Sequence, residues 1–110
     1  MGNHGISVII PNYNGRHILP QVLPSLLEAL ANSGLPNEVI VSDDCSDDQS
    51  VEYLNQSFPS IITIENKMNR GFSPTINRGI QEARYEYVLL LNSDVKLSPD
   101  YFAGLMRYFE

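Results

Sequence analysis

The residues of this chain that could do chemistry fall in a few short polar clusters. Asn12-Tyr13-Asn14, Asp43-Asp44 and Asn92-Ser93-Asp94 each follow a brief apolar run, and Asn69-Arg70-Gly71-Phe72 follows a further one at a distance. Asn92-Ser93-Asp94 after a buried run offers hard oxygen ligands of the kind Mg²⁺ and Mn²⁺ prefer. A cation held there would bridge the two phosphates of a nucleoside diphosphate and stabilise that diphosphate as it leaves. The plainer alternative is that Asp94 only helps to turn the chain. Asp43 and Asp44 are placed to read a base, because a carboxylate accepts from a ring N–H such as that of uracil. A solvated acidic loop is the alternative, and for Asp47 and Asp48 a loop or helix-capping role is preferred. Tyr13 either stacks on a base or is a half-buried loop tyrosine. Arg70 faces a phosphate or is a surface cation, and Gly71 is a candidate for positive φ.

These clusters need elements to hold them. Ile6 to Ile10 is a continuous β-branched run, as expected of a strand buried on both faces. Glu38 to Ser42, Ile61 to Ile64 and Tyr87 to Leu91 read as three more strands. Between them lie helical periods. His17 to Asn32 carries Ile18, Val22, Leu26, Leu27 and Leu30 on one face, with Pro20 and Pro24 predicting a late start or an irregular first turn. Ser46 or Asp47 is predicted to cap a helix bearing Val51 and Leu54. Ser73-Pro74 predicts the cap and first position of another, and Ser98-Pro99 those of a last helix holding Phe102, Leu105, Met106 and Phe109. The β-α-β-α-β-α-β-α order predicts an α/β fold with a parallel sheet and helices on both faces. In such sheets ligands bind beyond the carboxyl ends of the strands, where three of the clusters lie.

Composition excludes several classes. A length of 110 residues suits one compact domain or part of one, and 43% hydrophobic residues are enough for a core. Net charge is −6, from 13 acidic and 7 basic residues without a basic cluster, which excludes duplex nucleic acid as a partner. The one cysteine, Cys45, forms no internal disulfide and fits a reducing compartment. His4 and His17 form no spaced ligand set. No apolar run approaches the roughly 20 residues needed to span a bilayer. A cytoplasmic location is expected, with contact at the inner face of a membrane open to a longer protein.

Taken together and in order, these motifs resemble the nucleotide-binding region of family 2 glycosyltransferases, from Ile6 to about Phe109. ISVIIPNYN is similar to the family's first strand and loop, and EVIVSDDCSDDQS to its second strand and acidic loop. NRGFSPTINRGI is similar to a segment of rhamnosyltransferase-like members, and YVLLLNSDV to the strand bearing the Asp-x-Asp-type motif. The resemblance implies a Rossmann-like GT-A nucleotide-diphospho-sugar-binding domain over 1–110, without the acceptor-binding half. It implies inverting, metal-assisted transfer of a sugar from a UDP- or dTDP-sugar to a hydroxyl of a glycan or lipid-linked acceptor. Pro11, Asn12 and Tyr13 would surround the nucleoside, and Asp44 would meet the base with Asp43 beside it. Gly71, Phe72 and Ser93 would lie near the nucleotide, and Asp94 with Asn92 would hold Mg²⁺ or Mn²⁺. Two departures stand out. Cys45 and Gln49 occupy positions where the family often has glycine, which predicts a stiffer loop, and Asn92 replaces an aspartate, which weakens the metal site. The catalytic base is expected beyond Glu110, so the 110 residues alone are expected to bind nucleotide without transferring sugar. They are also expected to self-associate through Phe102, Met106 and Phe109.

Three other readings are weaker. A sugar nucleotidyltransferase needs a Gly-rich basic loop after the first strand, where PNYNGRH has only Gly15 and Arg16. A dinucleotide-binding oxidoreductase needs Gly-x-Gly-x-x-Gly there. A phospho-acceptor receiver domain would carry its acidic pair after the first strand, whereas Asp43-Asp44 follows the second. A nucleotide-sugar-binding module without turnover remains open.

Overall fold

A computed structural model describes residues 4–92, 97 and 99–102. Four parallel strands form one sheet: β1 (Ile6–Asn12), β2 (Asn37–Asp43), β3 (Ile62–Glu65) and β4 (Tyr87–Leu90), in the order β3-β2-β1-β4. Three helices connect them: α1 (Leu19–Ser33), α2 (Ser50–Ser57) and α3 (Phe72–Gln81). The chain order reverses beside β1, so β1 and β4 flank the point where α/β sheets open a crevice. This order also separates the fold from a receiver domain, whose third strand lies next to its first.

Strand register assigns each side chain to a face. Val8 pairs with Val39 and Leu89, and Ile10 with Val41. These side chains meet Leu19, Leu23, Leu26 and Leu30 of α1 and Leu54 of α2 in one buried cluster. Ser7, Ile9, Ile40 and Ser42 take the opposite face, against α3. Helices therefore cover both faces, as the alternating pattern predicts.

Several boundaries differ from the sequence reading. α1 starts at Leu19 with Pro20 in its first turn and continues through Pro24. A proline in the first turn removes only a donor the helix would leave unused, whereas Pro24 leaves the Pro20 carbonyl without its helical donor. α2 begins at Ser50, later than expected, and neither Ser46 nor Asp47 caps it. Asp48 Oδ1 instead accepts from the Ser50 N–H at 3.0 Å. α3 begins at Phe72, so Ser73 and Pro74 lie inside its first turn and Gly71 precedes it. Of the last predicted helix, Tyr101 and Phe102 are described as helical, while Leu105, Met106 and Phe109 lie outside the described residues.

Phe102 corrects one expectation. It is fully buried in the cluster beneath α1, so it forms no exposed surface for self-association. The uncovered apolar side chains of the sheet lie elsewhere. Val88 and Leu90 of the edge strand β4 are 42% and 49% exposed. They pair with Ser7 and Ile9, which places them on the α3 side.

Candidate functional site

The carboxyl edge of the sheet opens into a pocket of about 630 Å³. That is within the size range of small-ligand sites. Its lining comes from five places. The end of β1 supplies Pro11, Asn12 and Tyr13, the end of β2 supplies Asp44, and the approach to α3 supplies Asn69, Gly71, Phe72 and Thr75. Asn92 lines it from the end of β4, and Ile18 from the entry to α1. Seven residues singled out in the sequence thus share one cavity: Pro11, Asn12, Tyr13, Asp44, Gly71, Phe72 and Asn92. Ser93 and Asp94 lie outside the described residues.

Tyr13 and Phe72 are 56% and 64% exposed, two large apolar rings on the lining of one cavity. Such rings supply stacking area with little side-chain entropy to lose. Asn12 is buried, and its Nδ2 donates to Asp43 Oδ1 at 2.8 Å. Its Oδ1 has no hydrogen-bond partner among the described residues.

Asp43 stands behind this wall rather than on it. It is fully buried and absent from the pocket lining. Its oxygens accept from Asn12 Nδ2, from the Ser46 hydroxyl at 2.7 Å and from the Ser46 N–H at 2.8 Å. These bonds hold the 43–48 loop against the end of β1. Further bonds lace the two loops: the Asn14 N–H donates to Ser46 Oγ, the Asp47 N–H to Asn14 Oδ1 and the Arg16 N–H to Asp48 Oδ2. The Arg16 guanidinium also lies 3.8 Å from the centre of the Tyr53 ring. Cys45 and Gln49, the two positions without the family's glycines, have φ of 59° and 67°. The left-handed backbone that glycine adopts freely is kept here with side chains present.

Asp44 is buried and lines the pocket, yet both its oxygens are engaged. Oδ1 accepts from Asn66 Nδ2 at 2.9 Å and from the Arg70 N–H at 2.7 Å, and Oδ2 from the Gly71 N–H at 3.0 Å. The Asn69 amide donates to the Asp44 carbonyl at 2.7 Å. Burial pushes the Asp44 carboxyl pKa up. Hydrogen bonds from Asn66, the Arg70 and Gly71 backbone and Thr75 outweigh that and bring it down to about 2. Asp44 thus holds the 69–71 segment in place with its charge. Gly71 makes this possible with φ of 96°, directing its N–H at the carboxylate as the chain enters α3.

Sequence reasoning missed Ile18, Thr75 and Asn66 as parts of the site, and it named the cluster holding Asn69 without giving Asn69 a role. Asn66 stands in no motif singled out above, and its amide partners are 22 and 9 residues away. A polar residue directly after a strand was the only local signal. The sequence named Arg70 for its cation, whereas the contact seen here uses its backbone N–H. His4 pairs with Glu86 at 2.9 Å, away from the pocket.

The decisive comparison concerns the whole chain. Residues 7–110 match the model of the glycosyl transferase family 2 domain. The chain belongs to glycosyltransferase family 2. Among its relatives is the undecaprenyl-phosphate 4-deoxy-4-formamido-L-arabinose transferase of Pectobacterium atrosepticum, 33% identical over 107 residues, covering 94% of this chain and 33% of that protein. Another is the poly(ribitol-phosphate) beta-glucosyltransferase of Bacillus spizizenii, 34% identical over 111 residues, covering 94% of this chain and 16% of that protein. The chain therefore spans a third or less of the length of these two relatives. Residues 1–349 of S. aureus TarS, in complex with UDP-GlcNAc, share the fold at a TM-score of 0.82 with 25% identity, over 96% of this chain and 31% of that one. A mannosyltransferase of Pyrobaculum calidifontis shares it at 0.80 with 22% identity, over 99% of this chain and 33% of that one. The family 2 chain described here thus has the GT-A fold expected of it.

Proposed function

We propose that this chain is the donor-binding part of a glycosyltransferase that moves a sugar from a UDP- or dTDP-sugar to an acceptor hydroxyl, with inversion and with Mg²⁺ or Mn²⁺. The observation that carries the reading is the pocket at the carboxyl edge, where Tyr13, Phe72, Asp44 and Asn92 line one cavity. Tyr13 and Phe72 suit a base and ribose, and Asp43 holds the loop behind them. The TarS complex with UDP-GlcNAc supports a UDP-sugar as donor. The relatives named for undecaprenyl-phosphate and poly(ribitol-phosphate) transfer support a lipid-linked or glycan acceptor in cell-surface polysaccharide synthesis. With such an acceptor, the protein would work at the inner face of a membrane.

The pocket fits a divalent cation with few protein ligands. Asn92, on the lining, offers a neutral carboxamide oxygen of the hard type these ions take, and Asp94 would add a carboxylate. Mg²⁺ in particular is commonly held by one or two protein oxygens together with substrate phosphates. When bound, the cation would neutralise charge on the departing diphosphate. This chain's own residues bind and orient the donor. The Asp44-held segment sets one wall, and the aromatic rings exclude water from the base. The general base that takes the acceptor proton lies outside the roles these residues fill.

Calorimetric titration of the protein with UDP, dTDP and GDP, with Mn²⁺ and with chelator, tests the reading. Binding of a uracil or thymine nucleotide that weakens with chelator supports it. Equal failure of all three would sink it. A binding module without turnover would bind in the same way and yield no glycoside when the whole protein is given donor and acceptor.

A further inference from the structure

Asn66 sits behind the pocket, 1% exposed and absent from its lining, with all its side-chain polar groups engaged. Its Nδ2 donates to Asp44 Oδ1 at 2.9 Å and to Thr75 Oγ1 at 3.0 Å. Its Oδ1 accepts from Arg78 Nη1 at 2.9 Å. Its backbone N–H donates to the Asp43 carbonyl at 2.8 Å, which ties it to the end of β2. A guanidinium has only donors and a carboxylate only acceptors. A carboxamide between them satisfies both in one orientation, with oxygen to Arg78 and nitrogen to Asp44. Arg78, itself anchored to the Glu65 carbonyl at 3.0 Å, therefore orients Asn66. Asn66 in turn orients the carboxylate that holds the Arg70 and Gly71 N–H groups.

We infer that Asn66 is a positioning residue for the ligand of this pocket, acting through Asp44 to hold the Asn69–Phe72 wall. It touches no ligand itself. The inference rests on the reading of the pocket as a nucleotide site. An alanine at 66 removes one donor from Asp44, leaving Thr75 and the two backbone N–H groups, and so loosens the carboxylate's hold on Arg70 and Gly71. An aspartate at 66 keeps the size but sets two carboxylates against each other. They then share a proton as pH falls, and the shared proton restores a donor between them.

The test is UDP affinity by calorimetry for the full chain carrying Asn66, Asn66→Ala or Asn66→Asp, with amide hydrogen exchange at Arg70 and Gly71 measured without ligand. Each variant should bind UDP about tenfold more weakly at neutral pH or worse, the loss of a hydrogen bond to a charged group. Each should also show faster exchange at both amides. The ratio of unsubstituted to Asn66→Asp affinity should shrink as pH is lowered from about 8 to about 5, while the ratio for Asn66→Ala stays flat. That recovery separates positioning from damage to the fold and keeps the test decisive if Asn66→Ala does not fold. If the unsubstituted chain binds UDP and the variants bind it equally well, the inference is overturned. Weakened binding with unchanged exchange at Arg70 and Gly71 overturns it too. Failure of the unsubstituted chain to bind any of UDP, dTDP or GDP would instead overturn the nucleotide reading on which it rests.

Discussion

Gly79 and Ile9 are in such close contact that a β-carbon on Gly79 would lie 2.6 Å from Ile9 Cγ2. This contact sets how near α3 lies to β1, and hence where Gly71 and Phe72 at the other end of α3 meet the pocket. Ile9 is fully buried and cannot swing into solvent. Gly79→Ala is expected to destabilise the fold by about 1–3 kcal/mol, the usual cost of overpacking. A chemical denaturation midpoint checks it. A midpoint equal to that of the unsubstituted chain would mean α3 can lift from the sheet freely.

Stability should fall steeply in acid. Asp44 titrates near 2, against an ordinary value of 3.8. Glu38, where burial alone would raise the pKa, is also held down by hydrogen bonds from the Arg84 backbone, Ser7 and the Arg84 side chain. Because these folded-state values are depressed, the stability they add is full above the ordinary carboxylate range. It is lost as pH falls from about 4 toward about 2. Circular dichroism against pH reads the transition. Asp44→Asn should flatten the pH dependence in that window, and an unchanged slope would show that Asp44 contributes nothing to it.

Cys45 and Gln49 hold left-handed backbone that costs a non-glycine residue about 1–2 kcal/mol. Glycine would relieve that cost and give back part of it as unfolded-state entropy. Cys45→Gly is expected to stabilise the protein by about 0.5–1 kcal/mol. A lower thermal midpoint for this variant would show that the Cys45 side chain contributes packing beyond its strain.

Metal dependence should reside at the end of β4. Asp94→Asn preserves size and removes one charge, so it should weaken nucleotide binding in Mn²⁺ to the level seen with chelator. Asn92→Asp should strengthen it by adding a charge to the site. Affinity unchanged by chelator in the unsubstituted chain would remove the metal from this site.

The 110-residue chain is expected to self-associate through the α3 side of β4, where Val88 and Leu90 are 42% and 49% exposed. Exposed apolar side chains grouped in this way favour association. Leu90→Lys should shift sedimentation toward monomer. If the unsubstituted chain sediments as monomer at high concentration, this surface is not sticky.

Much of this was legible from local pattern. The β-branched run Ile6 to Ile10 and the helical spacing of Val22, Leu26 and Leu30 specify buried strand and amphipathic helix, because side-chain direction repeats with backbone period. Polar clusters directly after such strands must lie at the carboxyl edge of a parallel sheet, so the sequence places Pro11, Asn12, Tyr13, Asp44 and Asn92 at that edge, where they line one cavity. The glycine-like positions at Cys45 and Gln49 were visible through family resemblance, and their φ values supply the reason.

Only the tertiary structure decided what those residues do with their hydrogen bonds. Asp43 and Asp44 are adjacent and chemically identical, yet one carboxylate goes to Asn12 and Ser46 and the other to Asn66, Arg70 and Gly71. Successive side chains of a strand point to opposite faces, but the two aspartates stand where β2 ends, and the loop that follows chooses their direction. Phe102 looked like a surface residue by position and is buried because α1 and the sheet leave room for its ring. Asn66 carried only the weak signal of a polar residue directly after a strand. Its role arises from Asp44, Thr75 and Arg78, which are distant in sequence and meet only when α3 is laid across β1 and β2.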